Sequence, residues 1–288
     1  MLKTNYPKKL GLCLSGGGAR GAYQIGAVHA LLDLGIYSKI KVISGTSIGA
    51  ANAAILASTS TDVARDLWFN IPKNALKKEG SLFSRLTKEK FKMIENGIFT
   101  MDKLDEILLK RINHEQLNEK VVYVTISDGG KEDNVVYEFI KSTFSHYIKH
   151  DSKVIYIPLQ ALSPNDRTKS IIASCSIPFV FSAVKNEKRN YYDGGVFDNV
   201  PLKPLIDEGC EEIIVINLNK GFFSNHGTYP NVVLHEIKHK GSLGGVLDFS
   251  NEHSQRIFDM GYADVINYFS HLGNILWNDF EIRDWCKK

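Results

Sequence analysis

The sequence predicts an α/β fold in three layers, a central and mostly parallel sheet flanked by helices. Three observations carry that expectation. Apolar strand-like runs alternate with helical patterns in the N-terminal part of the chain, an order that calls for parallel strands joined by right-handed crossovers. Glycine clusters stand where a strand passes into a helix. No linker, repeat or low-complexity segment divides the 288 residues.

Taken in order, KLGLCLS at 9–15 reads as a buried strand running into glycines. Ala22, Ile25, Gly26, His29 and Leu32 then recur at helical spacing. A second strand is expected over 40–44, and the helix after it opens at Ser47. Residues 61–112 are polar, lysine-rich and helical in pattern, a helical insertion over the sheet. Strands return at 121–127 (VVYVTIS) and 135–140 (VVYEFI). Ser163 reads as an N-cap with Pro164 at the first helical position. A proline-punctuated helix near 202–208, the strand EEIIVINL ending at Leu218, and a helix over about 251–268 complete the set. One domain over 1–288 is expected, its motif-bearing core at about 9–218 and a C-terminal extension at about 219–288 packed on it.

Composition narrows the function classes. Hydrophobic content of 43% and charged content of 23% are those of an ordinary globular chain, and a net charge of +3 calls for no nucleic-acid partner. No apolar run approaches the roughly 20 residues of a membrane span. The N-terminal run is broken by glycines and lacks a cleavage pattern, so no signal peptide is expected. Cys13, Cys175, Cys210 and Cys286 show no metal-type spacing, and a reduced cytoplasmic setting is the simplest one for four scattered thiols.

The segment KVISGTSIGAANAAI carries the first chemical signal. Gly45-Thr46-Ser47-Ile48-Gly49 fits G-x-S-x-G, a sharp strand-to-helix turn that exposes a hydroxyl at the carboxyl end of a strand. A serine N-cap flanked by packing glycines would give the same letters. A second cluster, Gly16-Gly17-Gly18-Ala19-Arg20-Gly21, also follows a strand and precedes a helix. Adjacent parallel strands would bring the two turns to one edge, with the Gly17 and Gly18 N–H groups facing an oxyanion formed at Ser47. The same loop satisfies G-x-G-x-x-G, but the second strand ends in Ile43-Ser44-Gly45 without the carboxylate that a dinucleotide ribose needs.

A serine hydroxyl also needs a proton acceptor. None of His226, His235, His239, His253 and His271 stands in a glycine-rich turn after a convincing strand. YYDGGVFDNVP offers Asp193 followed by Gly194 and Gly195, a carboxylate at a strand end that would also suit a plain Asp-Gly turn.

Together SGGGARGAYQIGA, GTSIGA and YYDGGVFDNVPL, in that order, make the chain resemble the patatin-like phospholipase family, with IIASCSIPFVF, EEIIVINL and, more weakly, LGGVLDFS extending the likeness. The resemblance implies a patatin-like fold and a lipid acyl hydrolase without cofactor or metal. It places the nucleophile at Ser47, the base at Asp193 in a Ser–Asp dyad, and the oxyanion loop at Gly16, Gly17, Gly18, Arg20 and Gly21. Gly45, Gly49, Gly194 and Gly195 complete the motifs. Ser15 stands where many relatives carry aspartate. The implied course is attack by Ser47 on a lipid ester, an acyl-enzyme, and hydrolysis by water activated at Asp193. A Ser-His-Asp esterase of the α/β-hydrolase type and a non-catalytic lipid-binding protein remain open alternatives.

Two motifs compete for attention. Asp128-Gly129-Gly130 repeats the letters of the Asp193 block but reads as a hairpin turn. His235-Glu236-Ile237-Lys238-His239 is a literal H-E-x-x-H. Zinc chemistry needs it on a helix, with the histidines about 6 Å apart along the axis. The β-branched surroundings predict an extended segment instead, with the histidines roughly 13 Å apart.

Residues 73–92 carry seven Lys/Arg against two Glu, interleaved with Leu76, Leu82, Phe83, Leu86 and Phe91. Such a segment reads first as a solvated face over a core stripe, and it also suits an anionic lipid surface. Trp277, Phe280 and Trp285 are equally ambiguous. The expected partners are a phospholipid or other fatty-acyl ester and a peripheral contact with the inner membrane surface. Oligomeric state is not legible.

Overall fold

The computed structural model describes residues 9–71, 110–127, 154–176, 198–219, 229–246 and 248–275. Most of the 61–112 insertion, the 135–140 strand, Asp128 and the C-terminal aromatics lie outside the described residues. The elements are β1 (Leu10–Leu14), α1 (Gly21–Asp33), β2 (Val42–Thr46), α2 (Ile48–Ser58), α3 (Thr61–Phe69), β3 (Val121–Ser127) and β4 (Val154–Pro158). After these come α4 (Pro164–Ser176), α5 (Lys203–Asp207), β5 (Glu212–Ile216), β6 (Val233–Ile237) and α6 (Asn251–Ile275).

The six strands form a sheet in the order β4-β3-β2-β1-β5-β6. All neighbours are parallel except β3 and β4. The expected mostly parallel sheet between helices is therefore observed. β1 and β2 are buried along their whole length, which is why β1 reads as a continuous apolar run rather than an alternating one. Strand β4, which the sequence reading did not name, pairs with β3 antiparallel, setting Ser127 opposite Val154.

Alternation along the strands divides the interior into two cores. Leu10, Leu12, Leu14, Ile43, Val122, Val124, Ile214 and Ile216 face α1, α2, α3, α4 and α6. Cys13, Val42, Ile213 and Val215 face the segment around Val200, Leu202 and Leu205. The chain moves from β1 toward β2 and β3 on one side, then returns to place β5 on the other flank of β1. A sheet with such a reversal opens a crevice beyond the carboxyl ends of its strands, where open α/β folds hold ligands.

Helix α6 runs seven residues beyond the expected end at 268, and its Tyr268 and Phe269 pack on His235 of β6. Against α1 its backbone is in contact: a Cβ on Gly26 would lie 1.9 Å from the Phe258 carbonyl oxygen, and one on Gly261 2.1 Å from that of Tyr23. The Tyr23 hydroxyl donates to Asp264 at 3.0 Å and the Tyr262 hydroxyl to Asp33 at 2.9 Å across the same seam.

Candidate active site

The register of β1 and β2 decides where the two glycine motifs meet. Leu14, the last residue of β1, stands opposite Gly45. The loop that leaves β1 and the turn that leaves β2 therefore emerge side by side at one sheet edge, as the parallel pairing predicts. A Cβ on Gly16 would lie 3.3 Å from the Cβ of Ser47.

Ser47 has φ 55° and ψ −126°, and it is the one non-glycine residue with positive φ among the described residues. Such a conformation costs about 1–3 kcal/mol and survives only where the surroundings impose it. Those surroundings explain the glycines. A Cβ on Gly45 would lie 2.3 Å from the Gly49 carbonyl oxygen, and one on Gly49 would lie 2.3 Å from that of Leu14. The first turn of α2 is thus pressed onto the ends of β1 and β2, and the turn between must be sharp. Although Ser47 occupies the N-cap position, its side chain makes no capping hydrogen bond. Among the described residues that hydroxyl has no hydrogen-bond partner. Its backbone N–H donates to Ser174 Oγ at 2.9 Å.

The glycine loop is held from several sides. Gly16 N–H donates to Asn199 Oδ1 at 3.1 Å, and the Gly16 carbonyl accepts from Asn219 Nδ2 at 3.1 Å. Ser15, fully buried, accepts the Leu218 N–H at 2.8 Å through its hydroxyl. Ala19 N–H donates to the Val246 carbonyl at 2.8 Å, and Arg20 N–H to the Gly17 carbonyl at 3.3 Å. The Arg20 guanidinium reaches the carbonyls of Gly244, 2.9 Å, and Leu218, 3.3 Å. Among the described residues this leaves the N–H groups of Gly17 and Gly18 without a hydrogen-bond partner.

Asp193, Gly194 and Gly195 lie outside the described residues. The end of their motif is described and converges on the same edge. Thr46 Oγ1 donates to the Asp198 carbonyl at 2.8 Å and Ser44 Oγ to the Pro201 carbonyl at 2.6 Å. The Asp198 carboxylate accepts from the Tyr156 hydroxyl at 2.6 Å and from Val200 N–H at 3.2 Å. Burial pushes this carboxyl above its ordinary range, and those two donors oppose the shift.

A model of the patatin-like phospholipase family matches residues 12–206, which takes in the glycine loop, the Ser47 turn and the whole Asp193 motif. The chain belongs to that family. It is 29% identical over 234 residues to the uncharacterized protein R571 of Acanthamoeba polyphaga mimivirus, covering 78% of its own length and 71% of the relative's. Over 50 residues it is 52% identical to lysophospholipase nte1 of Aspergillus terreus, a match covering 17% of this chain and only 3% of that protein. Human GIVD cytosolic phospholipase A2, solved with methyl gamma-linolenyl fluorophosphonate, superposes with a TM-score of 0.50 at 10% identity. That match spans 96% of this chain and 59% of the human one, and it concerns the fold.

The H-E-x-x-H stretch is extended, as its β-branched surroundings predict: β6 holds His235 through Ile237, and His239 lies beyond the strand. His235 Nδ1 meets the Tyr268 hydroxyl at 3.2 Å, and His239 Nδ1 the Gly241 carbonyl at 2.7 Å. Among the described residues no group of three or more His, Cys, Asp or Glu is placed to hold a metal ion.

Sequence reasoning missed Ser174, Asn199, Asn219 and the 243–246 segment as parts of this candidate site. Ser174 and Asn199 fall inside motifs that carry the family resemblance, and 243–246 falls inside the weaker LGGVLDFS likeness, which was the available signal. Asn219 had none.

Proposed function

We propose that this patatin-like phospholipase is a lipid acyl hydrolase, cleaving carboxylic esters of phospholipids or lysophospholipids with Ser47 as nucleophile and Asp193 as base. Family membership supports the activity class. The observation that carries the residue assignment is the strained Ser47 turn beside a glycine loop with two N–H groups that have no partner among the described residues. Asp193 stands five residues ahead of Asp198, whose carbonyl is bonded to Thr46.

In this reading the Ser47 hydroxyl gives its proton to the Asp193 carboxylate and its oxygen attacks the ester carbonyl. The oxyanion of the tetrahedral intermediate is met by Gly17 and Gly18 N–H, where one lost donor typically costs about 3–4 kcal/mol. Gly16 contributes differently, since its N–H is committed to Asn199. Gly16, Arg20 and Gly21 shape and anchor the loop rather than donating to the oxyanion. The alcohol leaves with the proton from Asp193, an acyl-enzyme remains on Ser47, and Asp193 takes a proton from the water that hydrolyses it. A carboxylate with a reference pKa near 4 acts as base through proximity and a partly dehydrated setting. Among the described residues no histidine is hydrogen-bonded to Ser47.

The remaining expectations belong to the same proposal: one domain, no cofactor, and a cytoplasmic protein that meets lipid peripherally. Among the described residues no helix is long and apolar enough to cross a membrane. The decisive test assays fatty-acyl ester hydrolysis by Ser47→Ala and Asp193→Asn. Both should lose turnover, and wild-type rates from a folded Ser47→Ala enzyme would end the reading.

A further inference from the structure

The Ser174 hydroxyl occupies an unusual place. It lies on α4 with the residue only 1% exposed, and it makes two hydrogen bonds. It donates to the Thr125 carbonyl at 2.7 Å and accepts the Ser47 N–H at 2.9 Å. Thr125 is the residue of β3 in register with Thr46, the last residue of β2.

The phase of that ladder gives the arrangement its meaning. Val121 N–H donates to the Lys41 carbonyl, so the odd-numbered residues of β2 direct their peptide groups at β3. In a parallel ladder with Thr46 opposite Thr125, the next rung would run from Ser47 N–H to the Thr125 carbonyl. Ser174 Oγ bridges those two groups. At that point the chain leaves extended geometry for φ 55°. The hydroxyl thus satisfies a donor and an acceptor that separate as Ser47 turns out of the sheet.

We infer that Ser174 is a positioning residue for the nucleophile, its hydroxyl replacing the last β2–β3 rung so that Ser47 holds its exposed, strained conformation. This rests on Ser47 being the nucleophile. Without the hydroxyl, Ser47 N–H and the Thr125 carbonyl are either left buried and unpaired or drawn together into the missing rung. Either outcome displaces Ser47 relative to the Gly17 and Gly18 amides, and small misplacements of a reacting group cost on the order of 10²-fold in rate.

The test compares wild type, Ser174→Ala, Ser174→Thr and Ser47→Ala on a p-nitrophenyl fatty-acyl ester, each well below its own Tm. A parallel series follows the rate at which a fluorophosphonate labels Ser47. Ser174→Ala should lower kcat about 10²-fold with KM changed less than about threefold, and labelling should slow in parallel. Ser174→Thr, which keeps the hydroxyl, should recover at least about tenfold of the loss. A folded Ser174→Ala enzyme with wild-type kcat and labelling rate overturns the inference. Should the alanine variant not fold, Ser174→Cys takes its place, with only a weak acceptor at the position. If neither folds, Ser174 is a packing residue and the inference fails. Turnover retained by Ser47→Ala would instead remove the nucleophile assignment, so the two failures are distinguishable.

Discussion

The Arg20 guanidinium donates through Nε to the carbonyl of Gly244, 2.9 Å away and 224 residues later in the chain. Through Nη1 it also reaches the carbonyl of Leu218 at 3.3 Å. One side chain therefore ties the glycine loop to the turn after β5 and to a segment that lies beyond the residues matched by the family model. Arg20→Ala should lower stability by about 2–3 kcal/mol, the worth of hydrogen bonds from a charged donor. It should lower kcat as well, because the loop that carries Gly17 and Gly18 loses its anchor. Arg20→Lys should recover little, since a single ammonium does not reproduce a planar fork spanning two carbonyls. Urea unfolding alongside ester kinetics checks both parts, and a stable, slow Arg20→Lys enzyme would locate the effect in the loop.

A second anchor lies beneath the site. Trp68 Nε1 donates to Asn52 Oδ1 at 3.0 Å, and Asn52 Nδ2 donates to Gln24 Oε1 at 2.9 Å and to the Gly21 carbonyl at 3.0 Å. Gln24 Nε2 then donates to the Ser15 carbonyl at 2.8 Å. Trp68, Asn52 and Gln24 are all fully buried, so each link faces no competition from water. Asn52→Leu fills the space but strands the indole N–H and the Gln24 oxygen. A loss of about 2–4 kcal/mol is expected, from two buried groups left unpaired. Gln24→Leu should act in the same direction. If Asn52→Leu unfolded at the wild-type urea midpoint, the network would have no energetic role.

The part of the fold built from local pattern is legible in the sequence. β1 and the Ile213–Ile216 stretch of β5 are apolar because both their faces are covered, and Ser163 with Pro164 announced α4, where Ser163 Oγ does accept the Asp166 N–H at 3.3 Å. The adjacency of the two glycine turns followed from parallel pairing alone. What escaped were contacts between distant, individually ordinary residues. Nothing in the spacing of Asn219 or Ser174 reveals that one meets Gly16 and the other Ser47, because those meetings depend on register and on the path of α4. β4 escaped for a related reason: VIYIP is short, and its pairing with β3 is a tertiary fact.

The H-E-x-x-H segment makes a prediction opposite in sign to its letters. His235 sits in β6, with Nδ1 at the Tyr268 hydroxyl and Nε2 3.7 Å from Glu212 Oε2. It packs edge-on against Tyr268 and tilted against Phe269. His235→Ala should cost stability through those lost contacts, on the order of 1–2 kcal/mol. Turnover measured below the unfolding transition should stay within about twofold of wild type, and prior treatment with a chelator should leave it unchanged. Loss of turnover on chelation, restored by zinc, would reinstate the metal reading.

The last prediction concerns pH and begins at His253. Its imidazole is buried against Gly244, where a Cβ would lie 2.5 Å from Cε1. Asp248 Oδ2 is 3.6 Å from its Nδ1 and Arg256 Nη2 is 3.4 Å from the same atom, while Nε2 has no partner among the described residues. Burial holds its pKa below the ordinary histidine value, with Asp248 opposing and the Arg256 and Arg20 charges reinforcing the shift. The Asp248 carboxyl is itself held low, first by the Ser250 hydroxyl, so it remains ionised across the relevant range. The native state therefore binds this proton less readily than the unfolded chain does. Stability from His253 is complete above the unfolded value, about 6.5, and is lost as pH falls through the lowered native value. Because His253 packs against Gly244, whose carbonyl receives Arg20, turnover should fall over the same acidic window as the Tm. His253→Gln removes the titration, so its Tm should decline less steeply than that of wild type below neutral pH. Parallel Tm curves for the two proteins across the acidic range would show that this imidazole does not couple protonation to the glycine loop.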